Sequence, residues 1–270
     1  MSDNQHFKHI ISRDNPIFKQ LKKLAGNARQ RRSEGKTLLD GVHLIESYLQ
    51  AFGEPELNGL EWIIIPEGKS TLEATNLMQT LVDVKTIMLP TLMFAELTPV
   101  TSSTGILALA HTHQITPPET VAFALLIEDI QDPGNLGSML RTALGAGVQA
   151  VYLSKGCTDA WSPKALRGGQ GAQFYLPMVE GADLLEVVQN FAGNTYATIM
   201  GGASLYAQDL TKPSAFIIGN EGTGLTSKLL NAASHKICIP MHKNLESLNA
   251  GAAAAICLFE RKRQCTLKAL

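Results

Sequence analysis

Three short polar segments in the second half of the chain each follow directly on an apolar run. They cover residues 135–143, 219–225 and 239–251. Each combines a turn-forming residue, a hydrogen-bonding side chain and the start of a helical pattern. In open α/β sheets, ligands bind beyond the carboxyl ends of the parallel strands, where loops of this kind lie. The three segments together therefore predict a parallel α/β fold with a ligand site at one edge of the sheet.

The apolar pattern predicts that this parallel α/β domain covers residues 121–270. Val121 to Glu128 form an apolar run that is typical of a central strand covered on both faces. Strand-like and helix-like segments then alternate. Helices are predicted at 136–146, 182–192, 226–233 and 249–264, and strands at 148–153, 195–200, 214–218 and 236–239.

A second, smaller α/β domain is predicted over residues 1–110. Its predicted helices cover 15–33, 43–52, 72–81 and 93–97, and its predicted strands cover 37–40, 62–66, 86–89 and 105–110. Residues 111–120 lack periodicity and contain two adjacent prolines, so they are predicted to be a linker.

The basic residues are concentrated near the N-terminus. Residues 1–36 contain nine Lys and Arg against three Asp and Glu, although the whole chain has a net charge of −1. Such an excess predicts a surface for a polyanion. For a charge run alone, a solvated face of an amphipathic helix is the more common explanation. The predicted nucleic-acid contacts are Lys8, Arg13, Lys19, Lys22, Lys23, Arg29, Arg31 and Arg32.

The sequence lacks the residues that several kinds of binding site require. The four cysteines lie far apart without a Cys-x-x-Cys pair, so neither a disulfide framework nor a zinc site is predicted. His111 and His113 lie beside a proline-rich loop with no third ligand candidate, and no metal is expected. Leu225 stands where a phosphate loop requires lysine, and Arg167–Gly171 does not match a dinucleotide-binding pattern. The glycines before Leu225 instead permit positive φ angles and close approach of a ligand.

The hydrophobic segments also argue against a membrane protein. No apolar stretch reaches the roughly 20 residues that a membrane-spanning helix needs. The polar N-terminus shows no secretory signal pattern. A cytoplasmic location is therefore predicted.

Five polar side chains in the three segments are candidates for chemistry. Asn135 is predicted to cap a helix, a structural role that needs no catalysis. Arg141 is predicted to lie early in that helix, where a cation opposes the helix dipole, so its placement indicates a functional role. Glu221 lies in a loop and could orient a basic group or a ribose hydroxyl. Ser247 and Asn249 precede a helix of small residues, for which capping and close packing are the simpler explanation.

The three segments resemble the motifs of a known enzyme family. Gln131–Ala143 is similar to the first motif of the SpoU (TrmH-like) branch of the SPOUT RNA methyltransferases, Ile218–Leu225 to the second, and Ile239–Gly251 to the third. Residues 161–177 resemble a connecting stretch of the family. The N-terminal part resembles the ribosomal-protein-like substrate-binding domain of several members, although Asp40 stands where glutamate is usual.

The resemblance implies a SPOUT domain with a C-terminal trefoil knot, S-adenosylmethionine as cofactor, methylation of a ribose 2′-hydroxyl in RNA, and a homodimer with its site at the subunit interface. The residues that it implies to be catalytic are Asn135, Arg141, Glu221, Ser247 and Asn249. The cofactor contacts that it implies are Gly219, Asn220, Gly222, Ile239, Met241 and Leu248.

The sequence leaves open both the role of Arg141 and the identity of the substrate. Proposals for the family make the residue equivalent to Arg141 the general base, but a guanidinium is a poor proton acceptor, so clamping of the 3′-phosphate is the alternative. The basic N-terminal domain predicts ribosomal RNA, 23S rRNA in particular, as the substrate. Transfer RNA is the alternative substrate, and a non-catalytic RNA-binding protein associated with the ribosome is the alternative class.

Overall fold

The computed structural model describes residues 7–53, 59–68, 70–98 and 105–268. In chain order its elements are β1 (Phe7–His9), α1 (Pro16–Gly26), α2 (Ala28–Glu34), β2 (Lys36–Asp40), α3 (Val42–Phe52), β3 (Leu60–Pro66), α4 (Leu72–Thr80), β4 (Lys85–Leu89), α5 (Thr91–Ala95), β5 (Leu107–His111), β6 (Phe123–Ile127), α6 (Pro133–Ala146), β7 (Ala150–Leu153), α7 (Pro163–Gly169), β8 (Met178–Glu180), α8 (Leu184–Asn190), β9 (Asn194–Ser204), β10 (Ser214–Ile218), α9 (Ser227–Ala232), β11 (His235–Cys238) and α10 (Ala250–Lys268).

These elements form two compact units. The first contains the described residues up to His113 together with Asp159–Phe174, and the second contains Gln114–Thr158 and the described residues from Tyr175 onward. Asp159–Phe174 belongs to the first unit because of long-range contacts, such as the hydrogen bond from the Thr37 hydroxyl to the carbonyl of Trp161 at 2.7 Å. The predicted C-terminal domain, continuous over residues 121–270, therefore differs from the second unit.

The first unit contains a five-stranded mixed sheet in the order β1-β4-β3-β5-β2. β1, β4 and β3 are parallel, whereas β5 is antiparallel to both β3 and β2. α1 buries Phe18, Leu21 and Leu24 in the hydrophobic core of this unit, because their helical spacing places them on one face. The single helix predicted over residues 15–33 divides at Asn27, whose extended backbone separates α1 from α2.

The second unit contains a six-stranded sheet, entirely parallel, in the order β11-β9-β10-β6-β7-β8. The predicted α/β class with a parallel sheet is confirmed. β6 and β10 are central and fully buried, and Ile127 pairs with Ile218 at their carboxyl ends. The segments that begin at Glu128 and Gly219 therefore start side by side. β8 and α7 lie where the apolar pattern predicts no element.

The described residues include neither a membrane-spanning helix nor a cluster of metal ligands. None of their helices is both long and apolar enough to cross a membrane. No group of three or more His, Cys, Asp or Glu in these ranges is arranged to hold a metal ion, and all four cysteines are free thiols. Residues 1–6, in which no secretory signal is expected, lie outside the described residues.

Candidate active site

The loops after β6 and β10 are tied together by hydrogen bonds. Glu128 is 8% exposed, and its carboxylate accepts from the backbone N–H and the hydroxyl of Thr226, each at 2.8 Å. The side chain of Asn220 donates to the carbonyl of Asp129 at 2.7 Å. Asp129 has a φ of 53°, a left-handed conformation that short polar side chains tolerate. Glu128 was not among the site residues predicted from the sequence. A carboxylate directly after a wholly apolar strand is nevertheless a signal for a site residue.

The glycine-rich loop closes on itself. Asn220 and Gly224 exchange two backbone hydrogen bonds, at 3.2 and 3.0 Å. A Cβ on Gly219 would lie 2.5 Å from the carbonyl carbon of Gly224, and Gly224 has a φ of 70°. The prediction of positive φ angles therefore holds for Gly224 but not for Gly219 or Gly222. A side chain at position 219 would therefore clash with the backbone of the loop itself.

Side chains from the three polar segments form one hydrogen-bonded chain. Asn135 Nδ2 donates to Glu221 Oε1 at 3.0 Å across 86 residues of sequence. Asn249 Nδ2 donates to Asn135 Oδ1 at 2.9 Å across 114 residues. Asn249 also caps α10, because its Oδ1 accepts from the N–H groups of Gly251 and Ala252. Three of the five predicted catalytic residues thus lie in direct contact.

Asn135 does not cap its helix, and this prediction is wrong. α6 begins already at Pro133, and its N-cap is Asp132, whose carboxylate accepts from the Asn135 N–H at 2.8 Å. Proline is favoured at the first helical position, where no N–H is needed. The Asn135 side chain is consequently available to connect Glu221 with Asn249.

The Glu221 carboxylate is stabilised in its ionised form. Burial opposes ionisation, but hydrogen bonds from the Asn135 side chain and from backbone N–H groups outweigh burial and hold the pKa of Glu221 below its ordinary value of 4.5. Glu221 is therefore a hydrogen-bond acceptor at neutral pH. It is suited to orienting Asn135 rather than to donating a proton.

Arg141 lies on the exposed side of α6. It is the ninth of 14 residues in this helix, so the predicted position near the positive end of the helix dipole is wrong. Its guanidinium forms no hydrogen bond or ion pair with the part of the chain that the structure describes. Glu221, which was expected to orient a basic group or a ribose hydroxyl, accepts a hydrogen bond from Asn135.

A cleft of about 620 Å³ opens beside the glycine-rich loop. All six residues predicted to contact the cofactor line it, and so do two of the predicted catalytic residues, Glu221 and Ser247. Apolar walls come from Ile218, Leu225 and Ile239. Sequence reasoning missed Thr198–Met200 of β9, which also line the cleft, because strand periodicity does not show which residues face a cavity.

The predicted RNA contacts fall into three groups. Arg31 is 5% exposed and forms a buried ion pair with Asp159 at 2.6 Å, so its placement on an RNA-binding surface is corrected. Arg13 and Lys22 are exposed but share the carboxylate of Glu96. The remaining five residues have exposed side chains, and among them Lys19 pairs with Asp14. The other four are Lys8, Lys23, Arg29 and Arg32.

Residues 122–259 match the family model described as the SpoU rRNA Methylase family. The chain belongs to this family. A curated SpoU relative is the 23S rRNA (guanosine(2553)-2′-O)-methyltransferase RlmP of Bacillus subtilis, 32% identical over 93% of this chain and 98% of the relative. A solved RNA 2′-O ribose methyltransferase is 29% identical and superposes with a TM-score of 0.79, covering 95% of this chain and 98% of that structure.

A further SpoU structure contains the cofactor. AviRb from Streptomyces viridochromogenes in complex with AdoMet is 26% identical, with a TM-score of 0.78, and the match covers 93% of this chain and 98% of that one. The chain is an RNA methyltransferase that uses S-adenosylmethionine, which confirms both predictions. The cleft fits this cofactor, because its volume lies within the roughly 300–1,000 Å³ typical of small-molecule sites. Contacts of individual residues with the cofactor stay predictions.

Proposed function

We propose that this RNA methyltransferase acts on a ribose 2′-hydroxyl of ribosomal RNA, with 23S rRNA as the first candidate substrate. The observation that carries the proposal is the hydrogen-bonded chain of Glu221, Asn135 and Asn249, which joins the three family motifs next to the cleft. The name of the Bacillus subtilis relative supports 23S rRNA. A cytoplasmic location remains part of the proposal.

The cofactor would be held by Gly219, Asn220, Gly222, Ile239, Met241 and Leu248, all of which line the cleft. When bound, S-adenosylmethionine supplies an electrophilic methyl group on a sulfonium sulfur. The apolar side chains of Ile239, Met241 and Leu248 suit a flat base, and the loop backbone offers hydrogen-bonding groups for its polar edges.

The other residues act on the RNA. For the ribose 2′-oxygen to accept the methyl group, its hydroxyl would have to lose a proton. Arg141 binds the phosphate next to the reacting ribose, because its guanidinium is exposed and has no partner among the described residues. That phosphate or a water molecule accepts the proton. Glu221 and Asn249 hold the Asn135 amide in one orientation, and Ser247 completes the site from the cleft wall.

The test measures transfer of labelled methyl from S-adenosylmethionine to purified ribosomal and transfer RNAs, with the modified nucleotide mapped by mass spectrometry. We expect label on a ribose of 23S rRNA. Arg141→Ala should abolish turnover, and Lys228→Ala, which removes another exposed cation of the second unit, should not. Label on transfer RNA alone would make transfer RNA the substrate instead of ribosomal RNA. Label on a base would contradict ribose methylation. Full activity of Arg141→Ala would show that Arg141 has no role in the mechanism.

The protein is also proposed to be a homodimer through its second unit. Two large apolar side chains, Leu144 of α6 and Phe259 of α10, are 37% and 47% exposed, and α6 and α10 pack together. Burial of such side chains between subunits would be favourable. Light scattering coupled to size-exclusion chromatography should give a dimer mass for the wild type and a monomer mass for Phe259→Glu. A monomeric wild type would contradict this part of the proposal.

A further inference from the structure

Two lysines of the first unit lie over the same aromatic ring. The Nζ atom of Lys8 is 5.0 Å from the ring centroid of Trp62, and that of Lys85 is 5.6 Å away. Lys85 is the direct partner of Trp62 in the β3–β4 pair, and Lys8 lies on the edge strand β1, which pairs with β4. Since side chains alternate along strands, this register places all three on one face of the sheet.

The tryptophan ring holds the two ammonium groups in position. Trp62 packs against the hydrophobic core of the first unit but remains partly exposed. The electron-rich face of an indole attracts a cation within about 6 Å of its centroid. Both lysines are exposed, and neither forms an ion pair with the described residues. Both ammonium groups beside the ring are therefore available to the phosphate oxygens of a polyanion.

Other cations of the first unit, unlike Lys8 and Lys85, are already paired with carboxylates. Arg13 and Lys22 share Glu96, and Lys19 pairs with Asp14. A phosphate that binds one of these residues must compete with the carboxylate already present. The pair Lys8 and Lys85 has no such competitor among the described residues. Both ammonium groups are therefore available to a polyanion, and Lys85 lies outside the N-terminal basic run that the sequence singled out.

We propose that Lys8, Lys85 and Trp62 form a binding site for the phosphate backbone of single-stranded RNA. This inference rests on the proposed function, because it assigns part of the RNA-binding surface of that enzyme. The compact ammonium groups suit phosphate oxygens, and the indole beside them offers a face or edge for a base. Trp62 is a positioning residue for the two ammonium groups. An acidic peptide would need these two ammonium groups but not the aromatic ring.

The test is the binding of a short fluorescein-labelled single-stranded RNA to the full-length protein, followed by fluorescence anisotropy at several salt concentrations. Each phosphate contact that is lost reduces the slope of log affinity against log salt by about 0.7 to 1. We expect Lys8→Ala and Lys85→Ala each to show this reduction. Lys212→Ala is the matched control, because its ammonium group is exposed and already paired with Asp209, and its slope should stay at the wild-type value.

Trp62 is tested with two substitutions. Trp62→Phe keeps an aromatic ring and should keep the slope. Trp62→Leu keeps an apolar side chain but no ring, so the slope should fall although both lysines remain. Thermal unfolding of each variant shows that the protein is folded, and charge-keeping Lys85→Arg should restore the slope lost in Lys85→Ala.

Several outcomes overturn the inference. The wild-type slope in the double variant Lys8→Ala, Lys85→Ala would contradict the proposed lysine site. If that variant also methylated RNA normally, the proposed function would stand. Equal slopes for Trp62→Leu and Trp62→Phe would remove the role of the ring. Labelled polyglutamate that binds the wild type as tightly as RNA, and loses affinity in the double variant, would assign the surface to an acidic protein. Absence of methyl transfer by the wild type would contradict the proposed function, whereas the salt slopes test the lysine site alone.

Discussion

Asn135 connects the site because a primary amide contains both a donor and an acceptor. Its Nδ2 group donates to Glu221, and its Oδ1 atom accepts from Asn249. An aspartate would offer acceptors alone and would place a second negative charge beside Glu221. The sequence motifs identify all three residues as candidates, but the partners of each one depend on where α6 begins, which the periodicity placed too late.

We expect Asn135→Ala to reduce methyl transfer by about tenfold or more, which corresponds to the roughly 1.4 kcal/mol of one positioning hydrogen bond. The same variant should raise the pKa of Glu221. Burial raises that pKa in the wild type, and the Asn135 hydrogen bond is the leading contribution that lowers it. Because the pKa is lowered on folding, the ionised carboxylate contributes stability above its ordinary pKa of 4.5 and loses it as pH falls through the lower folded value.

In Asn135→Ala that loss should be smaller than in the wild type, and it should be complete at a higher pH. NMR titration of the glutamate carboxyl carbons measures the shift, and Asn190→Ala, at the exposed end of α8, is the control. An unchanged Glu221 titration in Asn135→Ala would show that this hydrogen bond does not stabilise the carboxylate.

Individual elements were predictable where the apolar pattern is long and uniform. The runs of β6 and β10 are wholly buried, and both strands were predicted within two residues of their ends. The start of α6 was missed because Pro133 and Gly134 are typical of turns as well as of a first helical turn. β8 has three residues, too few for a periodic signal. The break at Asn27 depends on a local cap rather than on hydrophobicity.

The glycine-rich loop allows a prediction with an internal control. Gly219→Ala would place a Cβ 2.5 Å from the backbone of Gly224, so the loop must shift, at a cost of about 1–3 kcal/mol. In Gly222→Ala the nearest atom lies at 3.6 Å, and we expect a change below about 0.5 kcal/mol. Chemical denaturation measures both free energies of unfolding. Equal stabilities for the two variants would show that the loop opens without cost.

The sequence predicts the division of the molecule into two domains but not its long-range contacts. Two domains with a boundary in residues 111–120 are predicted, and the structure divides between His113 and Gln114. Asp159–Phe174, however, belongs to the first unit, and its partners lie more than 100 residues away in the sequence. No local pattern contains that information. The trefoil knot rests on the resemblance alone, and the dimer rests on the resemblance together with the exposed Leu144 and Phe259, so both stay predictions.

The buried ion pair of Arg31 and Asp159 joins segments separated by 128 residues and should matter for stability rather than for RNA binding. Arg31→Ala leaves a buried carboxylate without its partner, and we expect it to lower the free energy of unfolding by about 3–5 kcal/mol. The double variant Arg31→Met, Asp159→Leu removes both charges and should recover most of this loss. Denaturation curves test both variants, and a salt titration of RNA binding to the double variant should keep the wild-type slope. A lowered slope there, together with unchanged stability of Arg31→Ala, would return Arg31 to the RNA-binding surface.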